Sequence, residues 1–155
     1  MPVSDFADYM SGGCSDVLES MFFASVTAST HEESVPALSE EAYTFGLSFS
    51  EDFRGNFGLQ IDKKTAAYFA ANFLGEDESE VSEQSAKEVV GELANMLCGS
   101  VTSRAYTTRK VSLSHPEPLT EESLRKLESP YVLKIETDGG FVTTWISLEH
   151  SPVAA

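Results

Sequence analysis

Three residues of this 155-residue chain have the types and spacing of a working surface: Glu88, Glu92 and Asn95, within Ser85-Ala-Lys-Glu-Val-Val-Gly-Glu-Leu-Ala-Asn-Met-Leu-Cys-Gly99. On a helix turning about 100° per residue, spacings of three and four put Glu88, Glu92, Asn95 and Gly99 on one exposed ridge within an arc of about 60°. A carboxylate, which only accepts hydrogen bonds, then stands a single turn from a carboxamide, which donates and accepts. Gly91 and Gly99 keep the neighbouring surface low, so that another backbone can approach the pair. On another side of the same helix Val89, Leu93, Met96, Leu97 and Ser100, flanked by Ala86 and Val90, form a stripe that faces the core. Glu and Asn three residues apart are common on exposed helix faces, so the pair alone does not specify catalysis.

Other chemistries are poorly supported. His31, His115 and His150 are scattered and lack the partners of a metal or triad site. Cys14 and Cys98 have no metal-ligand spacing, and Cys98 sits inside an apolar helical pattern; both read as reduced thiols. The acidic run Glu76-Asp-Glu-Ser-Glu80 reads as a solvated loop that feeds negative charge into the next helix N-terminus. Neither a nucleophile elbow nor a glycine-rich phosphate loop is present. With 25 acidic residues against 10 basic ones the formal charge is -15, which repels nucleic acid and anionic membrane at long range. The first residues, Met1-Pro-Val-Ser-Asp-Phe-Ala-Asp, lack the basic and apolar regions of a signal peptide, and no uncharged run approaches the ~20 residues of a membrane span. A cytoplasmic protein is expected, and 41% hydrophobic residues suffice for one compact domain over 1-155.

The elements that must position the ridge follow from periodicity. Val17, Leu18, Met21, Phe22 and Val26 predict a first helix from about Cys14 to Thr27, and the Pro36-containing stretch from Glu32 to Glu41 a loop. Tyr43 to Phe49 and Gly55 to Ile61 alternate as two strands of a hairpin. Asp62 is placed to cap a helix running to Leu74, with Gly75 as its left-handed stop. The ridge helix, about Val81 to Tyr106, is the longest element. A strand over Arg109 to Ser114 follows, and Pro116 and Pro118 are expected to halt it because neither can donate a ladder hydrogen bond. Thr120 caps a short helix to Leu127, and Tyr131 to Thr137 with Phe141 to Leu148 form a hairpin over Asp138-Gly-Gly140. Trp145, in its second strand, is expected in core or dimer packing, and residues from Ser151 are expected to fray. Val17-Leu-Glu-Ser-Met-Phe-Phe also echoes Gly91-Glu-Leu-Ala-Asn-Met-Leu when Glu19 is laid on Glu92, with Phe22 in the place of Asn95. That echo suggests two helix-plus-hairpin halves of which only the second keeps a polar face.

In this combination the chain resembles the CheX, CheC and FliY family of chemotaxis phosphatases, whose signature is Asp or Ser, then Glu-x-x-Asn, then a distal proline. Glu92-Leu-Ala-Asn95 carries the pair, and Pro118 stands 23 positions after the asparagine. The leading position is Glu88, a longer acid than the family's. The resemblance spans about residues 12-149, and the single Glu-x-x-Asn is more like CheX than CheC. It implies an α+β fold of the CheC/CheX type, an antiparallel β-sheet packed against two long helices from two pseudo-repeated halves. It further implies hydrolysis of the aspartyl phosphate of a CheY-like receiver, with Mg²⁺ supplied by that partner and no cofactor of this chain's own. Asn95 would orient the attacking water and Glu92 would pair with the receiver's lysine; Glu88, Gly91, Gly99 and Pro118 would shape the contact. CheX relatives dimerise through their sheets, so a homodimer is expected, with Phe141 to Leu148 contributing. The alternative is a module of the same fold that binds a receiver without catalysis.

Overall fold

The computed structural model describes residues 6–149, so His150 and the residues from Ser151 lie outside it. The local signals for the long ridge helix and the hairpins hold. The helix α3 spans Glu83–Ala105, and the Ser82 hydroxyl caps it by accepting from the Ser85 N–H at 3.0 Å. Strands β2 (Ala42–Glu51) and β3 (Gly55–Asp62) pair antiparallel, with Phe45 opposite Leu59 and Leu47 opposite Phe57. Strands β6 (Tyr131–Thr137) and β7 (Gly140–Leu148) form the second hairpin. Between β3 and α3 lies α2 (Lys63–Leu74), where the Asp62 carboxylate accepts from the Thr65 N–H at 2.7 Å and Gly75 turns left-handed at φ 69°.

The start of the chain differs from its periodicity. Helix α1 runs Ala7–Met21, beginning well before Cys14, because Gly12 and Gly13 weaken the helical signal while packing demands the helix. A Cβ on Gly13 would stand 3.2 Å from the Val101 backbone of α3, tighter than an ordinary contact, so glycine suits this close crossing of the two helices, and the Ser100 hydroxyl donates to Gly13 O at 3.0 Å. The helix stops before Val26: Phe23 is left-handed at φ 56°, and Val26 opens β1 (Val26–Glu32), a strand with no apolar alternation. Strand β1 lies at the sheet edge beyond the helix layer and is held by its ladder to β6, so it needs no buried face.

The strand after α3 is shorter than expected, β4 (Val111–Leu113), and the two prolines do not end pairing. Glu117–Pro118 form β5, with Pro118 opposite Phe45 on β2; the next residue, Leu119, donates the ladder bond to Thr44 O at 2.9 Å. An edge strand tolerates proline where its missing N–H would face outward. Helix α4 (Glu121–Arg125) follows, with a capping box between Thr120 and Ser123.

The sheet order is β1-β6-β7-β3-β2-β4, with β5 also on β2. Exchanging β1 with β4, β2 with β6 and β3 with β7 returns the same order reversed, so α1 with β1, β2 and β3 is the topological counterpart of α3 with β4, β6 and β7. The echoed positions fit this: Phe22 is wholly buried and stacks on Phe73 at 4.9 Å, whereas Asn95 is half-buried. Strand β7 is interior, flanked by β6 and β3, so it offers no free edge for a dimer, and of its large apolar side chains Phe141 alone is exposed.

Residues Tyr43, Phe45, Phe57, Leu59, Ile61, Leu133, Ile135, Val142 and Ile146 present one sheet face to α1, α2 and α3, with α3 between the other two. Trp145 lies on the opposite face and is fully buried against Gly58, its partner across the β3–β7 ladder. This is core packing rather than a surface for a second copy. A Cβ at Gly58 would fall inside the indole, so Gly58→Ala is expected to destabilise the fold by about 2 kcal/mol or more, read as a lower urea midpoint.

Candidate functional site

The working face of α3 is what packing leaves over. Because α3 has α1 on one side, α2 on the other and the sheet beneath, it buries a broad set: Ala86, Val89, Val90, Leu93, Ala94, Leu97, Cys98 and Val101. The expected core stripe is thereby widened and shifted, since Met96 and Ser100 are only half-buried. Glu88 and Glu92 are exposed, and Gly91, Asn95 and Gly99 are half-buried. Among the described residues, neither Glu92 nor Asn95 makes a side-chain hydrogen bond or ion pair within the chain. Glu88 does: its carboxylate accepts from Gln84 Nε2 at 3.3 Å, one turn towards the helix N-terminus and away from Asn95.

Glu88, Gly91, Glu92 and Pro118, separated by up to 30 positions in sequence, border one cleft of about 580 Å³. Its other walls are Phe45 of β2, Phe73 and Leu74 at the end of α2, and His115 and Pro116 ahead of β5. Sequence reasoning missed these wall residues, and the one local signal was the proline pair that stiffens the segment after β4. Asn95 lies beyond the cleft, further along the ridge, and Gly99 borders a second hollow of about 310 Å³ with Thr102, Arg109 and Leu113. His115, read from sequence as an isolated surface residue, is exposed on the cleft wall.

The glycines of the ridge are not required by the fold. A Cβ on Gly91 would meet Pro116 Cβ at 3.9 Å and one on Gly99 would meet Leu113 Cδ1 at 3.8 Å, both ordinary contacts. Interior helical glycine costs roughly 0.5–1 kcal/mol relative to alanine. The helix thus carries two destabilising residues that its own packing does not call for, on the face where Glu92 and Asn95 stand free.

Other reactive groups are withdrawn. Burial pushes the Cys14 thiol up to about 12, opposed in part by its hydrogen bond with Thr144, and burial raises Cys98 as well. Both are free, buried thiols between α1 and α3 and are poor nucleophiles. Among the described residues no three His, Cys, Asp or Glu side chains converge on a point where a metal could sit. Nor is any described helix long and apolar enough to cross a membrane.

The family model described as chemotaxis phosphatase CheX matches residues 43–136. Among solved structures, a chemotaxis protein CheX from Vibrio vulnificus is similar with TM-score 0.72 at 18% identity, over 96% of this chain and 99% of that one. The CheX–CheY–BeF3–Mg complex from Borrelia burgdorferi matches with TM-score 0.70 at 14% identity, over 94% and 99%. Thermotoga maritima FliY matches with TM-score 0.61 at 17% identity, over 94% and 87%. At such identities the likeness is one of fold, an α+β arrangement with an antiparallel sheet. No curated protein sequence is significantly similar to this chain.

Because no internal contact requires Gly99, Gly99→Ala is expected to raise stability by about 0.5–1 kcal/mol, measured as a higher urea midpoint at unchanged slope.

Proposed function

The chain belongs to the chemotaxis phosphatase CheX family, and from that membership we propose that Glu92 and Asn95 on α3 accelerate hydrolysis of the aspartyl phosphate of a CheY-like receiver domain. The observation that carries the reading is the free ridge: a carboxylate and a carboxamide one turn apart, unpartnered within the described chain, on the helix most firmly held by its neighbours. The Borrelia burgdorferi relative was solved as a complex of CheX with CheY, BeF3 and Mg²⁺, which supports a receiver as the partner and the magnesium as part of the substrate.

A phosphorylated receiver already holds the phosphoryl group and its metal, so what it lacks is a positioned water. The Asn95 amide can donate to and accept from one water, holding it in line with phosphorus without acting as a base. Glu92 supplies an acceptor for the lysine beside the receiver's phosphate. That charge-assisted bond anchors α3 and sets how far Asn95 reaches. Gly91 and Gly99 let the receiver backbone come close, Pro118 stiffens the wall beside Glu92, and Glu88 borders the contact with its carboxylate tied back to Gln84.

The reading treats residues 1-155 as one cytoplasmic domain, in the compartment where receiver domains work. It also includes homodimerisation through the sheet. The strand Phe141 to Leu148 takes part through its exposed Phe141 rather than through a free edge, and light scattering is expected to return about twice the 16.8 kDa chain mass. A single-chain mass across the concentration range would count against the dimer.

Purified protein is expected to speed phosphate loss from a Mg²⁺-loaded phospho-receiver. Asn95→Ala should reduce that acceleration on the order of 10²-fold with receiver binding retained, and Glu92→Gln should weaken binding. Undiminished acceleration by Asn95→Ala would sink the assigned mechanism. Binding of the receiver by the parent protein without any acceleration would instead favour the non-catalytic module, for which the substituted Glu88 is the specific argument.

A further inference from the structure

We propose that the cleft beside Glu92 seats an apolar side chain of the receiver and supplies most of the docking affinity, an inference that rests on the receiver reading above. The cleft is open to the surface, and its volume of about 580 Å³ lies within the range of sites that accept a small ligand or large side chains. Phe45, Phe73, Leu74 and the two prolines form its walls, Leu74 is 42% exposed, and the Glu88 and Glu92 carboxylates stand at its rim. An apolar pocket with a charged rim is the arrangement in which a buried anchor residue dominates binding.

Continuity selects the receiver as the occupant. The cleft shares Glu88, Gly91 and Glu92 with the ridge, so any protein whose lysine reaches Glu92 covers its mouth. A specific interface occupies ~800 Å² on each partner, far more than two polar side chains offer, so the footprint must extend beyond the ridge. Electrostatics points the same way. The chain carries a net charge of -15, which repels an acidic partner surface at long range. Apolar contact is indifferent to that repulsion.

The placement also has a direction. The cleft lies towards the N-terminal part of α3, beside Gln84, Lys87 and Glu88, whereas Asn95 is further along. The anchoring residue therefore belongs to the receiver surface on the lysine side of the phosphate, not to the side where water attacks. Gly91 lies in the cleft wall, and its missing side chain leaves room that the fold does not need.

Two variants test this by independent routes. Leu74→Gln replaces an exposed wall residue on α2 without touching the ridge. Gly91→Leu fills the cleft from α3, where the new Cβ meets only Pro116 Cβ at 3.9 Å and leucine favours the helix. Affinity is read by titrating a Mg²⁺- and beryllofluoride-loaded CheY-like receiver, and folding by thermal melting monitored by circular dichroism. Gly91→Leu is expected to raise Kd at least tenfold and Leu74→Gln about threefold or more, both insensitive to salt, with lost dephosphorylation rate returning as receiver concentration is raised. Parental affinity in both variants, in a protein that still accelerates hydrolysis, overturns the inference and leaves the phosphatase reading standing. A change in dimer mass with receiver affinity unchanged assigns the cleft to a second copy and likewise overturns it. Absence of receiver binding by the parent protein overturns both.

Discussion

The burial of α3 between α1 and α2, over the apolar face of β2 and β3, is the constraint on which the rest of the molecule depends. A surface helix with one packed flank can roll or shift by tenths of an ångström at little cost. A helix packed on both flanks and beneath cannot, because every displacement opens a void against close-packed side chains. Gly13 tightens the arrangement by letting α1 lie against the α3 backbone at Val101, and Cys14 and Cys98 fill the seam as small inert groups. Glu92 and Asn95 accordingly project from a closely packed helix, which is the form of preorganisation the proposed water-positioning mechanism needs.

The molecule trades stability for access on the same helix. Its buried arc is wide and alanine- and valine-rich, whereas the opposite side holds two half-buried glycines and a Glu92 carboxylate that the packing of the fold does not call for. Residues of this kind are kept for a surface that meets another molecule, since intrachain packing gives no reason for them. In the proposed reading the charged ridge and apolar cleft divide the work of recognition: the first orients the receiver, the second holds it.

Elements whose signals are local were legible in the amino-acid sequence. The Asp62 cap and Gly75 stop of α2, the two hairpins and the extent of α3 each follow from a few adjacent residues, and Glu92 with Asn95 fell on one ridge by spacing alone. What escaped was set by tertiary context. Strand β1 carries no alternation because neither face is buried; α1 runs through Gly12 and Gly13, the latter packed against α3; Pro118 pairs because β5 lies at an edge. The cleft was illegible for the same reason, since α3 supplies one wall but β2, α2 and the segment 115–118 each add only one to three residues, with no pattern that marks them as a wall.

The mirrored strand order has a kinetic consequence. Each hairpin forms from neighbours in the chain, but three ladders cross between the halves: residues 26–32 pair with 132–137, 49–51 with 111–113 and 55–61 with 142–148. Closing such long loops costs entropy before the ladders return any enthalpy, so these crossings, rather than either hairpin, are expected to limit the rate of folding. The face beneath α3 belongs to the β2–β3 hairpin, but α1, which holds one flank of α3, arrives from the far end of the chain. The two halves are therefore interleaved rather than docked, and neither can complete its share of the sheet without the other.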